Sequence, residues 1–132
     1  MSTARILIVE DEAIVAADLA DRIVTMGHTV VGTAANASKA MEMAVTSHPD
    51  LVLMDIHIKG GMDGIDLAAL MWTSMELPVV FLTAYADDAT LQRATTAQPY
   101  GYLLKPVNER ELKATIETSL ARNRAEQKRL RE

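Results

Sequence analysis

The sequence contains no cysteine, which excludes disulfides, thiolate metal sites and cysteine nucleophiles. It also lacks an apolar run near the roughly 18 residues that a membrane-spanning helix needs, and the run after Arg5 is too short for a signal-peptide core. Excess positive charge is absent as well. The net charge of −5 argues against the basic surface of a nucleic-acid or membrane-surface binder. We therefore expect a cytoplasmic protein without nucleic-acid or membrane partners.

What is present is typical of a globular protein. The 132 residues, 49% of them hydrophobic, fit one domain whose core buries roughly two-thirds of the surface of the unfolded chain. After Leu120 the last predicted helix turns polar and continues a coiled-coil seam poorly. We predict a domain over residues 1–120 and a polar extension of the last helix over 121–132. The extension either frays in solvent or links the domain to a partner or a further domain.

Short apolar runs alternate with helical patterns. The runs predict strands at residues 6–9, 29–32, 51–54, 78–82 and 100–104. Spacing and capping residues predict helices at 12–26, from an Asn36 or Ser38 cap to Pro49, at 65–75, at 86–96 and from Asn108 onward. Strands separated by helical crossovers predict an α/β fold, a doubly wound five-stranded parallel sheet with helices on both faces.

Polar side chains follow four of these predicted strands. An acidic cluster that begins with Glu10 and Asp11 follows the first strand, and Asp55 follows the third. Thr83 follows the fourth strand and Lys105 the fifth. Since ligands of parallel α/β sheets bind beyond the carboxyl ends of the strands, these residues are candidates for one site.

The residue types in this candidate site match one chemistry. Neighbouring carboxylates repel one another, and a divalent cation with oxygen ligands, such as Mg²⁺, relieves that repulsion. Lys105 supplies a compact positive charge, and Thr83 supplies a hydroxyl donor. A carboxylate nucleophile at Asp55 would complete the set of groups for phosphoryl transfer to aspartate.

Each residue taken alone has an ordinary interpretation. The acids Glu10 and Asp11 could begin a helix, where they favour its dipole, and Asp55 could be a turn residue. Thr83 could be a strand-end hydroxyl and Lys105 a surface lysine. Their common place at the ends of successive buried strands favours the phosphoryl-transfer interpretation.

With these residues in these positions, the sequence resembles the response-regulator receiver domain, the CheY-like module of two-component signalling. The segments that carry the resemblance are residues 6–12, 53–56, 62–65, 81–84 and 104–106. The resemblance covers residues 5 to about 120, and it implies a CheY-like sheet with strand order 2-1-3-4-5.

The resemblance also implies roles for individual residues. Asp55 would be the phosphoacceptor. Asp11 would ligate Mg²⁺ directly and Glu10 directly or through water, while His57 would contribute its backbone carbonyl.

Further implied roles concern the switch and its partners. Thr83 and Lys105 would contact the phosphoryl group, and Tyr102 would change rotamer on activation. The phosphoryl donor would be a sensor histidine kinase or a phosphotransfer protein, with an output partner or downstream domain still to be identified. A homodimer through helix 4, strand 5 and helix 5 is compatible with this. The only chemistry implied is magnesium-dependent self-phosphorylation and slow autodephosphorylation, so the chain is not expected to be an enzyme.

Two other functions remain open. The same fold could serve as an interaction module that phosphorylation does not regulate. A metal-dependent phosphatase or other hydrolase is a weaker alternative, because no nucleophile elbow and no second aspartate two residues after Asp55 are present. A nucleotide-binding domain is weaker still, since no glycine-rich loop follows the first strand.

Two segments depart from the commonest pattern of the family. Between Asp55 and Met62 the chain carries one residue more and lacks the frequent proline, so we expect the loop at 59–61 to bulge or open differently and to alter access to Asp55. The segment 86–99 predicts a short or mobile fourth helix, because the residue before Pro99 avoids the α region.

Overall fold

The fold is a parallel five-stranded sheet between two layers of helices, in a computed structural model that describes residues 3–84 and 88–131. The strands are β1 (Arg5–Val9), β2 (Thr29–Ala34), β3 (Leu51–Asp55), β4 (Val79–Thr83) and β5 (Gly101–Leu104). The helices are α1 (Ala13–Thr25), α2 (Ala37–Ser47), α3 (Gly64–Met75), α4 (Asp88–Thr95) and α5 (Glu109–Arg131). The strand order β2-β1-β3-β4-β5 confirms the predicted fold class and order.

Two hydrophobic cores lie on opposite faces of the sheet. Every residue of β3 and β4 is buried, and successive side chains alternate between the faces. One core joins alternate strand residues to α2 and α3, including Val52, Met54, Phe81, Leu67 and Met71. The other joins the remaining strand residues to α1 and α5, including Leu51, Leu53, Val80, Leu19 and Ile116. The continuous apolar runs of the sequence are therefore explained by burial on both faces.

Polar side chains cap three of the helices, and the caps Asn36 and Asn108 were predicted from the sequence. The Asn36 side chain accepts a hydrogen bond from the Lys39 amide at 2.9 Å, which starts α2, and the Asn108 side chain accepts one from the Glu111 amide at 3.1 Å. Asp63 caps α3 in the same way through the Asp66 amide at 3.0 Å. Each cap satisfies an amide that has no partner within its helix.

The predicted second strand ended too early. β2 continues to Ala34, because its register against β1 shifts between Ile6 and Leu7 and the ladder then runs on to the pair Val9 and Ala34. Such an irregularity depends on the neighbouring strand, so the composition of β2 alone does not reveal it.

The fourth helix is short, as predicted. α4 has eight residues, and the predicted residues 86 and 87 lie outside the described residues. Its C-terminal side ends in a turn in which Gln98 adopts φ +53°, directly before Pro99. The expected mobility of this helix stays a prediction.

The last helix continues through residues 121–131. The start of this extension contacts the domain: the Arg122 guanidinium lies 4.1 Å from the centre of the Tyr100 ring, and the Tyr100 hydroxyl donates a hydrogen bond to Glu126. The predicted polar extension is therefore helical, while a functional boundary at residue 120 stays a prediction. Within the described ranges, no helix combines the length and apolar content needed to cross a membrane.

Candidate functional site

The predicted site residues meet at the carboxyl edge of the sheet. Glu10 and Asp11 follow β1, Asp55 ends β3, Thr83 ends β4, and Lys105 follows β5. Glu10, Asp55 and Thr83 have only 2%, 5% and 0% of their surface exposed. Buried charges require partners, so the contacts of these carboxylates decide what the site can do.

Lys105 joins the two buried carboxylates. Its ammonium donates hydrogen bonds to Glu10 Oε1 and, at 3.0 Å, to Asp55 Oδ2. Burial on its own would lower the pKa of Lys105, but the two carboxylates outweigh it and raise that pKa above its ordinary value. Lys105 is therefore a protonated cation whose ammonium is held between the carboxylates of Glu10 and Asp55.

Glu10 shows the electrostatic strain of this arrangement. Burial raises the pKa of Glu10 above its ordinary value; the hydrogen bonds from Lys105 and the Glu12 amide oppose that rise, and the nearby Asp55 carboxyl adds to it. Two carboxylates share one ammonium, so the group Glu10, Asp55 and Lys105 carries one uncompensated negative charge. A cation would relieve this strain.

Backbone amides fix the orientation of both carboxylates. The His57 amide donates to Asp55 Oδ1 at 2.9 Å, and the Glu12 amide donates to Glu10 Oε2 at 3.1 Å. Each carboxylate is thus held by a local amide on one oxygen and by Lys105 on the other. The His57 side chain is exposed.

The acidic residues form a group that could hold a metal ion. One ligand atom each from Glu10, Asp11 and Asp55 lies within 4.8 Å of the others. Hard carboxylate oxygens in such a group suit a divalent cation such as Mg²⁺, and Lys105 is one ammonium shared by the two carboxylates of Glu10 and Asp55. The donor set therefore fits the predicted ion.

A cavity of about 290 Å³ lies over Asp55. Its lining residues are Asp11, Glu12, Asp55, His57, Lys59, Ala84 and Lys105. The cavity gives a small anionic group access to the Asp55 carboxylate. Lys59 was not among the predicted site residues, although it belongs to the loop that was expected to change access to Asp55.

Gly64 is a second residue whose role the sequence did not reveal. It begins α3, and its amide donates to the Ile56 carbonyl at 2.9 Å. A Cβ atom at this position would lie 2.1 Å from the Asp55 carbonyl oxygen. Only glycine allows α3 to start this close to the backbone of Asp55, and a glycine at a predicted helix start is the signal that could have indicated it.

The two predicted switch residues occupy different surroundings. Thr83 is fully buried, and its carbonyl accepts a hydrogen bond from the Lys105 amide at 2.8 Å. Tyr102 is 38% exposed. Its hydroxyl lies 3.0 Å from the Thr95 hydroxyl of α4, and its ring centre lies 6.2 Å from that of Phe81. Tyr102 thus connects β5 to α4 at the surface.

Comparison with known proteins identifies the family. The family model described as the response regulator receiver domain matches residues 6–117. The chain belongs to the response-regulator receiver domain family. The chain is 38% identical over 120 residues to the transcriptional regulatory protein PdtaR of Mycobacterium tuberculosis, covering 91% of this chain and 58% of that protein.

Further relatives agree with this assignment. The phyllosphere-induced regulator PhyR of Methylorubrum extorquens is 33% identical, with 87% of this chain and 43% of that protein covered. The signal receiver domain of a modulated diguanylate cyclase from Desulfovibrio desulfuricans has a TM-score of 0.90 and 35% identity, covering 95% of this chain and 99% of that domain. The chain spans about half the length of the curated relatives it matches.

Membership in the family establishes a receiver domain of two-component response regulators, consistent with phosphorylation-dependent signalling. Such domains act as signalling switches and interact with histidine kinases or phosphotransfer proteins. The hydrolase and nucleotide-binding alternatives thereby lose their basis.

Proposed function

We propose that this receiver domain is switched by phosphorylation of Asp55. The observation that carries the proposal is the buried group in which Lys105 pairs with both Glu10 and Asp55 beneath an open cavity. A buried carboxylate beside a positioned ammonium and a metal-binding acidic group is the equipment of phosphoryl transfer to a carboxylate.

Glu10, Asp11, Asp55 and the backbone carbonyl of His57 would hold Mg²⁺. The ion, when bound, would neutralise charge on the phosphoryl oxygens. The short distances among the three carboxylates support this ligand set.

The chain's own residues would perform the remaining work. One Asp55 oxygen attacks the phosphorus of a phosphohistidine on a sensor histidine kinase or a phosphotransfer protein, and the bond from phosphorus to the histidine nitrogen breaks. Lys105 stays protonated and exchanges its contact with Asp55 for one with a phosphoryl oxygen. The same site would return the phosphoryl group slowly to water, which makes the chain a switch rather than an enzyme.

Phosphorylation would then change the α4–β5–α5 face. The phosphoryl group brings a charge of about −2 and strong acceptor oxygens, which would draw the Thr83 hydroxyl toward it. Tyr102 would turn inward and leave Thr95, which frees α4. Moving a two-state equilibrium from mostly off to mostly on requires about 5.5 kcal/mol, and a few charge-assisted hydrogen bonds of roughly 1.5–3 kcal/mol each are sufficient.

The partners of this face belong to the same proposal. Leu104 and Tyr102 are 52% and 38% exposed on β5, so the face offers apolar surface to an output protein, to a downstream domain or to a second copy of the chain. We propose that the protein acts in the cytoplasm, where histidine kinases present their phosphoryl groups. Sedimentation with and without beryllofluoride and Mg²⁺ would detect a homodimer that depends on activation.

The direct test measures phosphoryl incorporation from acetyl phosphate and Mg²⁺ by intact-mass spectrometry. Wild type should gain one phosphoryl group, and Asp55→Asn should gain none. Asp21→Asn is the control, since Asp21 is an exposed residue of α1, and it should react like wild type. Label on the Asp55→Asn protein would refute the assignment. A wild-type chain that takes up no label and shows no response to millimolar Mg²⁺ would instead support the phosphorylation-independent interaction module.

A further inference from the structure

The loop between β3 and α3 is attached to a neighbouring helix end. Lys59 forms an isolated parallel bridge with Asn36, the residue that caps α2 through the Lys39 amide. Gly60 follows with φ +110°, a conformation that other residues rarely adopt. The bridge to Asn36 and the turn at Gly60 therefore fix the position of the Lys59 backbone.

This attachment places Lys59 at the cavity over Asp55. The charged residues that line the cavity are Asp11, Glu12, Asp55, Lys59 and Lys105. Lys105 is already bound to Glu10 and Asp55. Among the residues that the structure describes, no carboxylate lies within 4.0 Å of the Lys59 ammonium. Lys59 is thus the cavity cation that is not committed to a carboxylate within the described chain.

We propose that Lys59 binds the anionic oxygens of the phosphoryl donor as the donor enters the cavity, and that it favours dianionic donors. The proposal rests on the proposed function of Asp55. Its physical basis is the surplus of carboxylates around the cavity, which repels a dianion more strongly than a monoanion. A second ammonium at the cavity reduces that repulsion before the donor reaches Lys105.

Two small donors distinguish this role from a purely structural one. Acetyl phosphate is a dianion at neutral pH, whereas phosphoramidate has a net charge of −1 because its nitrogen is protonated. With acetyl phosphate, an Asp55 oxygen bonds to phosphorus and acetate leaves with the electron pair of the broken bond. With phosphoramidate, the phosphorus–nitrogen bond breaks and ammonia leaves. The attacked phosphorus and the acceptor are the same in both reactions. The leaving groups differ, so the rate of each variant is divided by that of wild type with the same donor, and these ratios are then compared between donors.

The experiment compares second-order rate constants of phosphorylation, with saturating Mg²⁺, for four proteins. These are wild type, Lys59→Gln, Lys59→Arg and Lys113→Gln. Lys113 is an exposed lysine of α5 that does not line the cavity, so its variant matches the change in net charge. Thermal unfolding of each protein verifies that the fold is intact.

We expect Lys59→Gln to lower the rate with acetyl phosphate by roughly two- to fivefold, the range of one partly exposed charge interaction. The rate with phosphoramidate should fall less. Lys59→Arg and Lys113→Gln should stay near wild type, and added salt should shrink the deficit of Lys59→Gln because the interaction is screened.

Three results would overturn the proposal: an unchanged rate for Lys59→Gln, an equal loss with both donors, or a loss in Lys59→Arg as large as that in Lys59→Gln. Failure of the proposed function has a different signature. In that case Asp55→Asn would still be labelled, or wild type would not react with either donor, whatever residue stands at position 59.

Discussion

Two regions of the molecule differ in how much of their surface is buried. One is the charged site at the carboxyl ends of β1, β3 and β4, and the other is the edge formed by α4 and β5. All five residues of β3 and of β4 are buried, and the charged site rests on them. At the edge, β5 buries only Leu103, and α4 buries only Ala94. The two regions meet where Thr83 of β4 pairs with Leu104 of β5.

This difference in burial suits two different roles, a rigid charged site and an edge that can rearrange. The acidic site keeps partly compensated charges at close range, which requires a rigid, fully packed base. The α4–β5 edge is held by few buried side chains and by polar contacts such as the one between Tyr102 and Thr95, so a small change in free energy can rearrange it. We therefore expect substitutions beneath the site to change stability strongly and substitutions at the edge to change it little.

The largest effect is expected at Gly64, behind the site. Gly64→Ala would place a methyl group 2.1 Å from the Asp55 carbonyl oxygen, and the backbone must shift to admit it. We expect a loss of about 4 kcal/mol in the free energy of unfolding, measured by urea denaturation. Gly61→Ala is the control, because a Cβ there meets nothing within 4 Å, and it should change stability by less than about 0.5 kcal/mol. Equal stability of the two variants would contradict the close approach of α3 to Asp55.

A matched pair of leucines compares the two regions directly. Leu53 of β3 is fully buried, whereas Leu104 of β5 is 52% exposed. Leu53→Ala should cost about 3 kcal/mol through lost burial and a residual cavity, and Leu104→Ala less than about 0.5 kcal/mol. Urea denaturation of both variants checks this. Similar losses would mean that β5 is as well packed as β3.

A substitution at Glu10 would measure the cost of burying two carboxylates beside one ammonium. Its raised pKa means that the folded state binds a proton more tightly than the unfolded state. The stability that this provides is complete below the ordinary value of 4.5 and is lost as the pH rises through the folded-state pKa, so the Glu10 carboxylate destabilises the fold at neutral pH.

Glu10→Gln should therefore stabilise the metal-free protein at pH 7 by about 1 kcal/mol, because a neutral pair of Asp55 and Lys105 remains. The gain should shrink as the pH is lowered toward 4.5, and the response to Mg²⁺ should weaken. Glu12→Gln removes the same charge from an exposed side chain and should leave stability nearly unchanged. A destabilised Glu10→Gln protein would show that its contact with Lys105 outweighs the burial of the second carboxylate.

The smallest effect is expected for the ion pairs that join α4 to the start of α3. Arg93 lies 2.6 Å from Asp63 Oδ2 and 3.2 Å from Asp66 Oδ1. Burial would raise the pKa of Asp63, but Arg93 and the amides of α3 outweigh it and lower that pKa. This contribution to stability is present above the ordinary value of 3.8 and is lost as the pH falls through the folded-state pKa.

Arg93→Ala should thus lower the urea midpoint at pH 7. This decrease should be smaller than the increase caused by Glu10→Gln, since exposed ion pairs contribute little. The difference from wild type should disappear in strongly acidic solution. Arg110→Ala, at an exposed position of α5, should have no such pH dependence. A difference from wild type that persists at low pH would assign the role of Arg93 to packing rather than to charge.

Much of the fold was predictable because its determinants are local. The apolar runs of β1, β3 and β4 and the caps Asn36 and Asn108 lie within a few residues of the elements they determine. The end of β2 was missed because it depends on the register against β1. The common location of Glu10, Asp55 and Lys105 at one edge of the sheet also followed from the pattern, since the carboxyl ends of parallel strands share one edge.

Other features of the site depend on the tertiary structure alone. Lys105 pairs with Glu10 across 95 positions of the chain, Gly64 approaches the Asp55 backbone, and Lys59 is bridged to Asn36. The alternation of polar and apolar residues specifies which face of an element is buried. The pairing of particular side chains also requires the register of the sheet and the distances between packed helices, and these arise only when the whole chain has folded.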